Sequence, residues 1–440
     1  MGKKILFIQI SVLFFIFFFI GTAFSQQFEE WVDIEEPSAG NFFGVGARYM
    51  GMGGVGVAFA NDASALIYNP AGLAKVKRIE LTLGMSHQRF GNETGTPKGV
   101  KVPADKPYFL DLKRIQSNTR LGSAGLVFPL PTYRGSLVLG LGVNRIASFD
   151  NTFKFVYALD SSTRPDAMEL ISESGGIYVW SLGGAIDISP TVSLGLALNF
   201  WDGRDNYTYI DSLGFFSADT FYEINDDWEI KDDYSGFNLK FGALFQPNKY
   251  FSFGGTVASP VWLTIDEEYI ITYDSTHSFT DTIYYVQYPP EYPRWKPTHP
   301  FSFSFGSAFN FKNLLLAADF NYTDWTQLEY REAVEPGRKN IDVKDYYRDV
   351  FKWHIGAEYL IPQISGTVRA GFYQDPLPFK SNHLKADRQY FSLGLGFLID
   401  KVMTLDIAWS HGFYEFEYPN IPAIEKYRTN KIFITTAYRL

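Results

Sequence analysis

The chain has 440 residues, no cysteine, 46% hydrophobic and 18% aromatic residues, and a formal net charge of -9. Intrinsic disorder, a disulfide-rich scaffold and nucleic-acid binding each require a surplus of charge, cysteine or basic residues that this composition lacks. The mean hydropathy is -0.10. Because no apolar run of about 18 residues follows the N-terminal segment, the sequence also disfavours a bundle of transmembrane helices.

The first residues of the chain predict export. Lys3 and Lys4 precede an apolar stretch over residues 5–20, and the small-residue pattern Ala23-Phe24-Ser25 follows it. This order is typical of a secretory signal peptide, so we expect residues 1–25 to be removed by cleavage between Ser25 and Gln26. A single membrane-anchor helix is the alternative, although the stretch is short for a span and a cleavage pattern follows it.

A two-residue period dominates the rest of the chain. From residue 137 to 144, large apolar side chains at odd positions alternate with small or polar ones at even positions from Gly140 onward. Such alternation predicts strands with one apolar face. We expect fourteen strands, at residues 78–90, 119–129, 134–148, 175–188, 191–206, 233–247, 250–266, 298–311, 313–330, 348–362, 366–375, 388–400, 402–415 and 428–440.

The connections between these strands alternate in length. Tight turns are expected at 189–190, 247–249, 312–313, 362–365 and 400–401, and long connections at 91–118, 149–174, 207–232 and 267–297. Short periplasmic turns and long external loops are typical of outer-membrane barrels. At the C-terminus, a strand ending in Tyr438 and Leu440 is similar to the signal that the outer-membrane assembly machinery recognises, although Phe is the more usual last residue.

The second face of the strands indicates what they enclose. A β-sandwich also alternates, but most of the expected strands exceed the 9 to 11 residues that cross a bilayer, which favours a barrel in the outer membrane of a Gram-negative-type bacterium. We predict an all-β fold, a 14-stranded antiparallel transmembrane β-barrel over residues 78–440. Six charged or polar residues near strand centres are expected in its lumen: Lys240, Asp319, His354, Glu358, Arg369 and Asp406.

The segment before the barrel carries a family resemblance. Residues 44–58 contain Gly51-Met52-Gly53-Gly54, and residues 60–74 contain Asp62-Ala63-Ser64 and Asn69-Pro70-Ala71-Gly72-Leu73. These motifs resemble the FadL/TodX superfamily of outer-membrane proteins, including its PorV-like branch. The resemblance implies that residues 26–77 fold into the lumen as a hatch, and that hydrophobic molecules leave sideways near the third strand. The hatch or gate residues would be Gly51, Gly53, Gly54, Asp62, Ser64, Asn69, Pro70, Ala71 and Gly72. The alternative is that residues 69–72 only hold the hatch in place and contact no ligand.

Other chemistries find little support. The spacing Gly51-x-Gly53-x-x-Gly56 matches a dinucleotide fingerprint, but the strand before it and the helix after it are not persuasive. The six histidines form no evident catalytic set, so we expect neither an enzyme nor a cofactor. The acidic residues Asp219, Asp226, Asp227, Asp232 and Asp233 are expected in an external loop, where calcium binding is an alternative to plain solvation.

The predicted lumen charges allow a register prediction. If Gln363 and Ile364 form a two-residue turn, Glu358 lies opposite Arg369 on the inward face and pairs with it across the hairpin. A less favoured alternative is that Arg369 or Lys240 binds the carboxylate of an amphipathic ligand. The aromatic run from Tyr284 to Pro297 is expected to be either an apolar landing site at the barrel mouth or part of an interfacial belt.

Two functions follow from these expectations. The first is a gated channel for uptake of hydrophobic small molecules such as fatty acids and hydrocarbons. The alternative is a PorV-like module that binds secretion-system proteins and transports nothing. In both cases the expected surroundings are outer-membrane lipid, and nucleic acid is not an expected partner.

Overall fold

The computed structural model describes residues 38–40, 42–96, 108–133, 135–158, 167–217, 220–277, 282–332, 340, 343–380, 387–418 and 423–440. The predicted signal peptide, the first part of the predicted hatch, Asp219 and His383 lie outside the described residues. No helix in the described ranges is long and apolar enough to cross a bilayer.

Strands make up most of the described chain. Two four-residue helices, α1 (Ala47–Met50) and α2 (Ala65–Tyr68), precede them, and 3-10 turns lie at Pro70–Lys75, Trp325–Gln327 and Pro362–Ile364. The strands are β1 (Glu80–Gly95), β2 (Tyr108–Phe109), β3 (Leu112–Leu130), β4 (Leu137–Ser148), β5 (Asn151–Ala158), β6 (Ala167–Ser189), β7 (Val192–Ser217), β8 (Thr220–Phe245), β9 (Phe251–Ala258), β10 (Val261–His277), β11 (Thr282–Gln287), β12 (Arg294–Trp295), β13 (Pro297–His299), β14 (Ser302–Phe311), β15 (Leu314–Asp324), β16 (Glu329–Tyr330), β17 (Asp349–Ile361), β18 (Gly366–Asp375), β19 (Arg388–Ile399), β20 (Met403–Tyr418) and β21 (Ala423–Arg439).

These strands form one closed antiparallel wall. The first strand pairs with the last, from Glu80 opposite Arg439 to Gly95 opposite Ile424. Several neighbours in sequence, such as β9 and β10, are successive pieces of one wall strand, interrupted at Ser259–Pro260. Counted this way, the described residues form a closed barrel of fourteen antiparallel strands, which confirms the predicted fold.

The outward face of the wall is an apolar belt. Exposed apolar side chains cover it at the level of Trp180, Phe200 and Trp262. Beyond that level, the next outward positions on β7 are Asp202 and Arg204, which are exposed and charged. An apolar band bounded by polar residues is what lipid requires of a barrel. Strands β6, β7, β8 and β10 therefore continue past the lipid as an extracellular sheet.

The extracellular sheet corrects several predicted boundaries. The predicted connections 149–174, 207–232 and 267–297 are largely strand, where polar, acidic and aromatic residues pair beyond the apolar belt. The acidic residues 226, 227, 232 and 233 lie on β8 and not in a loop. The aromatic run was expected in a loop, but its residues 284–287 lie on β11. Two predicted strands are interrupted: 250–266 at Ser259–Pro260, and 313–330 after Asp324, where a 3-10 turn precedes the short strand Glu329–Tyr330.

The inward face of the wall carries glycines that contact residues 42–76, which we call the luminal segment. A Cβ atom on Gly195 would lie 2.3 Å from Ala71 N, and one on Gly254 would lie 2.0 Å from Val57 O. Because these atoms are backbone, no side chain fits between wall and segment at these positions. At several inward glycines an added Cβ atom would lie 2.0 to 2.7 Å from an atom of the segment. These glycines include Gly125, Gly183, Gly195, Gly242, Gly254, Gly306, Gly356 and Gly371.

Candidate functional site

The glycine-rich start of the luminal segment lies directly against the wall. Gly53 and Gly54 both have φ of 75°, a region that favours glycine. A Cβ atom on Gly53 would lie 2.7 Å from Ile355 O, and one on Gly51 would lie 3.0 Å from the Cα of Gly394. Gly53 N also donates to Ser392 Oγ over 2.9 Å. The glycines therefore allow the chain to turn while touching β17 and β19.

The second motif is held by its own side chains. Asp62 Oδ1 accepts a hydrogen bond of 2.8 Å from Ser64 N at the start of α2. Asn69 Oδ1 accepts from Ala71 N over 3.1 Å, and Asn69 Nδ2 donates to Val57 O and to Ala243 O of the wall, over 2.7 and 3.0 Å. Pro70 opens the 3-10 turn that follows.

These contacts give the asparagine motif a clear local function. Asn69 caps the turn and joins it to β8, as a short polar side chain does at a helix start. A Cβ atom on Gly72 would lie 2.0 Å from Ala60 O, so the turn packs closely on the preceding loop. A gating role for these residues remains a prediction.

Three of the six predicted lumen residues contact the backbone of the luminal segment. Lys240 Nζ donates to Ile67 O over 2.5 Å. Asp319 Oδ2 accepts from the amides of residues 56 and 57 over 2.6 and 2.9 Å. His354 Nδ1 donates to Gly53 O over 2.7 Å. Charged and polar wall residues thus satisfy backbone groups that would otherwise be buried without partners.

The other three form a chain of ion pairs with Arg48 of the luminal segment. Glu358 binds Arg48 Nη2 over 2.9 Å and Arg369 Nε over 2.7 Å, and Arg369 Nη1 binds Asp406 Oδ1 over 2.7 Å. Glu358 lies opposite Arg369 in the ladder, so the register prediction is confirmed. Because both sides of the Arg369 guanidinium are occupied by carboxylates, this geometry gives no support to a ligand carboxylate there.

A second group of lumen cations was missed from the sequence. Lys352 Nζ donates to Gly40 O over 3.0 Å, and Lys431 Nζ donates to the carbonyls of Phe42 and Phe43 over 3.2 Å each. Arg388 lies beside Lys352 and pairs with Asp375 over 2.8 Å. The alternation that turns Ile432 and Ile434 outward also turns Lys431 inward, and this signal was present in the sequence.

The wall has a seam at the third wall strand. The ladder between β3 and β4 ends at Ser123 opposite Asn144. In the described ranges, no ladder joins residues 112–122 of β3 to β4 or β5, and β5 pairs with β6 and β2. The Phe153 ring of β5 lies 5.7 Å from that of Phe90, which is buried on the inner face of β1. Strand β5 therefore bends into the lumen.

Side chains close this seam. Arg120 of β3 binds Asp150, between β4 and β5, over 2.8 Å, and Gln116 Nε2 of β3 donates to Glu173 O of β6 over 3.0 Å. Arg145, which is fully buried, binds Asp150 Oδ2 and Gly175 O over 2.7 Å each. These contacts replace the backbone ladder where it is missing.

The luminal segment touches the seam at Phe43. Phe43 N donates to Ile146 O over 3.0 Å, and the guanidinium of Arg145 lies 4.8 Å from the centre of the Phe43 ring. A cation at this distance from an aromatic face is attracted to it. Any movement of Phe43 would therefore change the surroundings of the residues that close the seam.

The comparison with known proteins decides the family. The sequence model of the outer membrane protein transport protein family (OMPP1/FadL/TodX) matches residues 177–417, more than half of the chain. The chain belongs to this family. The resemblance of residues 44–74 predicted the FadL/TodX superfamily, and the match on a different stretch of the chain confirms it. The chain is therefore an outer-membrane β-barrel of a transport-protein family.

Individual proteins agree with this membership. Alkane uptake protein A of Marinobacter nauticus is 23% identical over 359 residues, which are 79% of this chain and 76% of that protein. The Pseudomonas putida toluene transporter TodX superposes with a TM-score of 0.62 at 14% identity, covering 91% of this chain and 99% of that one. The Pseudomonas aeruginosa FadL homologue gives 0.59 at 16%, covering 91% and 100%. At these identities the solved structures show a shared fold.

The FadL/TodX fold here presents no preformed metal centre among its described residues. That part of the chain holds no group of three or more His, Cys, Asp or Glu side chains able to bind a metal ion. The acidic residues of β8 are distributed along the extracellular sheet, where Asp233 pairs with Arg204 over 2.8 Å. The calcium alternative therefore gains no support from these positions.

Proposed function

We propose that the protein takes up hydrophobic small molecules across the outer membrane, with the luminal segment as gate and the seam at β4 and β5 as the exit into lipid. The observation that carries the proposal is the missing ladder between residues 112–122 of β3 and the inward-bent β5. Family membership and the names of the relatives, which include an alkane uptake protein and a toluene transporter, support it.

Aromatic rings line the inner wall beside the luminal segment. Tyr373 and Tyr390 are buried against Phe43 of the segment, so a hydrophobic molecule would reach them only when the segment moves. The rings of Tyr373 and Tyr390 stack with centroids 4.5 Å apart, and those of Tyr414 and Tyr427 do the same. Phe153 of the bent strand lies 5.6 Å from Tyr427. Aromatic faces of this kind bind apolar ligands through surface burial. The aromatic surface thus extends from the lumen to the seam.

An exit into lipid suits a hydrophobic cargo. A molecule that leaves through the wall avoids transfer from the aromatic lumen into periplasmic water, which would cost about 25 cal/mol for each Å² of apolar surface exposed. The seam can open by breaking side-chain contacts such as Arg120 with Asp150. Within the lipid-facing part of the wall that the structure describes, the other neighbouring strands are joined by backbone ladders, which opening there would break. The seam is therefore the place where opening disturbs the barrel least.

The proposal is tested by locking the seam. The natural chain has no cysteine, so the pair Arg120→Cys and Asp150→Cys can be joined by a bifunctional thiol reagent without side reactions. The assay measures uptake of radiolabelled hexadecane and toluene by host cells that have no such protein of their own and express the variant. We expect uptake by the unlinked variant, and loss of most of it on crosslinking.

The matched control joins two strands where the ladder is complete. Val257 and Phe303 face each other on the outer surface of β9 and β14, so Val257→Cys with Phe303→Cys should crosslink without changing uptake. Undiminished uptake with the seam locked would refute the lateral exit. If the unmodified protein takes up neither compound and instead retains secretion-system proteins on purification, the PorV-like alternative replaces the proposal.

A further inference from the structure

Two carboxylates lie side by side at the extracellular end of the seam, beyond the apolar belt. Glu173 of β6 lies opposite Tyr207 in the ladder to β7, and Asp205 lies two positions earlier on β7. Their side chains therefore share a face of the sheet as diagonal neighbours, and they are close enough to hydrogen-bond to each other. Asp205 is only 3% exposed. Because two ionised carboxylates repel each other at such a distance, this pair requires a positive charge between them, which is either a proton or a cation.

The described side chains around the pair do not supply this charge. Arg120 and Arg145 are the arginines of the seam, and both bind Asp150. In the ranges that the structure describes, no lysine or arginine forms an ion pair with Glu173 or Asp205. Asp150 instead adds negative charge to that of the pair, and burial, followed by the charge of Glu173, raises the pKa of Asp205 far above its ordinary value. A divalent cation neutralises two carboxylates at once, whereas a proton neutralises only one.

Uncharged oxygen atoms surround the pair as well. The amide of Asn151, on β5, donates to Glu173 Oε2 over 2.5 Å, and that of Gln116, on β3, donates to Glu173 O over 3.0 Å. In the described part of the chain, both amide oxygens are buried without a hydrogen-bond partner, and so is Asp205 Oδ1. Since the two ends of an amide have the same shape, a half-turn of the Asn151 amide brings its oxygen to the Glu173 carboxylate. That orientation is favourable only when a cation lies between the two groups.

We propose that Glu173 and Asp205 bind a calcium ion, with Asn151 Oδ1 as a third protein ligand and water completing the coordination. Calcium takes about six to eight oxygen ligands in flexible geometry, which suits two carboxylates and an amide on three different strands. With only two acidic ligands, the site differs from the groups of three or more considered above, and it forms as the Asn151 amide turns. The ion ties the inward-bent β5 to β6 and β7 at the point where β5 has no ladder to β3. This site is additional to the proposed uptake function and does not depend on it.

Calcium binding by the purified, detergent-solubilised protein tests the site. Isothermal titration calorimetry at pH 7, after removal of metal with EDTA, should show saturable binding of one calcium ion. We expect Glu173→Gln and Asp205→Asn each to weaken the affinity by about tenfold or more, because each removes a charged ligand. Asp202→Asn is the matched control and should leave the affinity unchanged, since Asp202 is an exposed carboxylate on the opposite face of the same strand. Heat-modifiable migration on gels checks that each barrel is folded.

A gain of affinity provides a test that a folding defect cannot imitate. Asn151→Asp places a third carboxylate beside the ion, so it should tighten calcium binding several-fold. Unchanged or weaker binding by this variant would refute the assigned set of ligands. Absence of saturable binding by the unmodified protein would mean that the pair shares a proton, and equal affinities of the unmodified protein, Glu173→Gln and Asp205→Asn would place the ion elsewhere; either result overturns the proposal.

The hold of calcium on β5 is measured separately. Phe153 of β5 packs against Phe90 and Tyr427 in the lumen, so Phe153→Cys should react with a maleimide chiefly when the strand moves. We expect calcium to slow this labelling several-fold, and to have no such effect when Asp205→Asn is added. Equal rates with and without calcium would refute the tie between β5 and β7. Uptake of hydrocarbons is a different measurement, so a failure of the proposed function leaves these results standing.

Discussion

The ion-pair chain at Arg48 should hold the luminal segment in the lumen, and Glu358→Gln tests this. Glu358 accepts bonds of 3.1 and 2.9 Å from Arg48 and of 2.7 Å from Arg369. In Glu358→Gln, Arg369 keeps Asp406 and Arg48 keeps its 3.0 Å bond to Asn61, but the neutral amide has one acceptor oxygen in place of two and no charge to offer Arg48. The substitution therefore weakens one link between segment and wall and leaves the ladder of β17 and β18 intact.

The size of the effect follows from burial. Removing one partner of a buried ion pair costs about 3 to 5 kcal/mol. The Arg48 side chain is 25% exposed, so we take the lower end, about 3 kcal/mol, for the contact of Arg48 with the wall. At about 1.4 kcal/mol for each factor of ten, this shifts the equilibrium between seated and released segment by about a hundredfold.

The assay is conductance in planar bilayers, together with sensitivity of cells to large antibiotics. We expect frequent open events for Glu358→Gln and few for the unmodified protein. Glu229→Gln is the matched control, because Glu229 is exposed on the extracellular sheet. If Glu358→Gln forms a folded barrel and its conductance stays at the unmodified level, the ion-pair chain does not retain the segment and the reasoning fails.

Three further predictions address the wall, the extracellular sheet and the N-terminus. Gly195→Val should displace the segment and raise conductance, since its Cβ would meet Ala71 N, whereas Gly255→Ala should not, because nothing lies within 4 Å of that Cβ. Burial and the nearby Asp226 raise the pKa of Asp211 to about 6, so the extracellular sheet should resist proteolysis better at pH 5 than at pH 7.5, and Asp211→Asn should reduce that difference. Mass spectrometry of the exported protein should find Gln26 at its N-terminus, and a retained leader would contradict the predicted signal peptide.

The sequence was sufficient for the part of the barrel that touches lipid. There the outward positions must be apolar and the inward ones are free to be small, so alternation identified strands such as 388–400, which the structure places at Arg388–Ile399. Parity put Glu358 and Arg369 on the inward face, and the turn predicted at Gln363 and Ile364 placed them opposite each other, as the ladder has them. Beyond the lipid, outward positions no longer need to be apolar. Asp226 and Asp232 therefore lie on β8, although an acidic stretch of this kind favours a loop.

The sequence predicted only part of the candidate site, and the reason is different. Parity shows that Lys240, Asp319 and His354 point inward. It does not show that their hydrogen-bond partners belong to the luminal segment, which lies 173 to 301 residues earlier in the sequence. The seam was also beyond local patterns. Its signature is the missing ladder beside residues 112–122 of β3, which begins where β4 ends with a bulge near Arg145 and β5 turns inward to pair with β6.

The meeting of β1 and β21 has a consequence for biogenesis. The luminal segment precedes β1, yet Ala47 N donates to Thr435 Oγ1 of the final strand. Once β1 has paired with β21, the barrel is closed, and the folded luminal segment can no longer enter between these two strands. We expect the assembly machinery to retain the nascent N-terminal stretch at the centre while the last hairpin is added, so that maturation of the protein ends with the wall closing around its own contents.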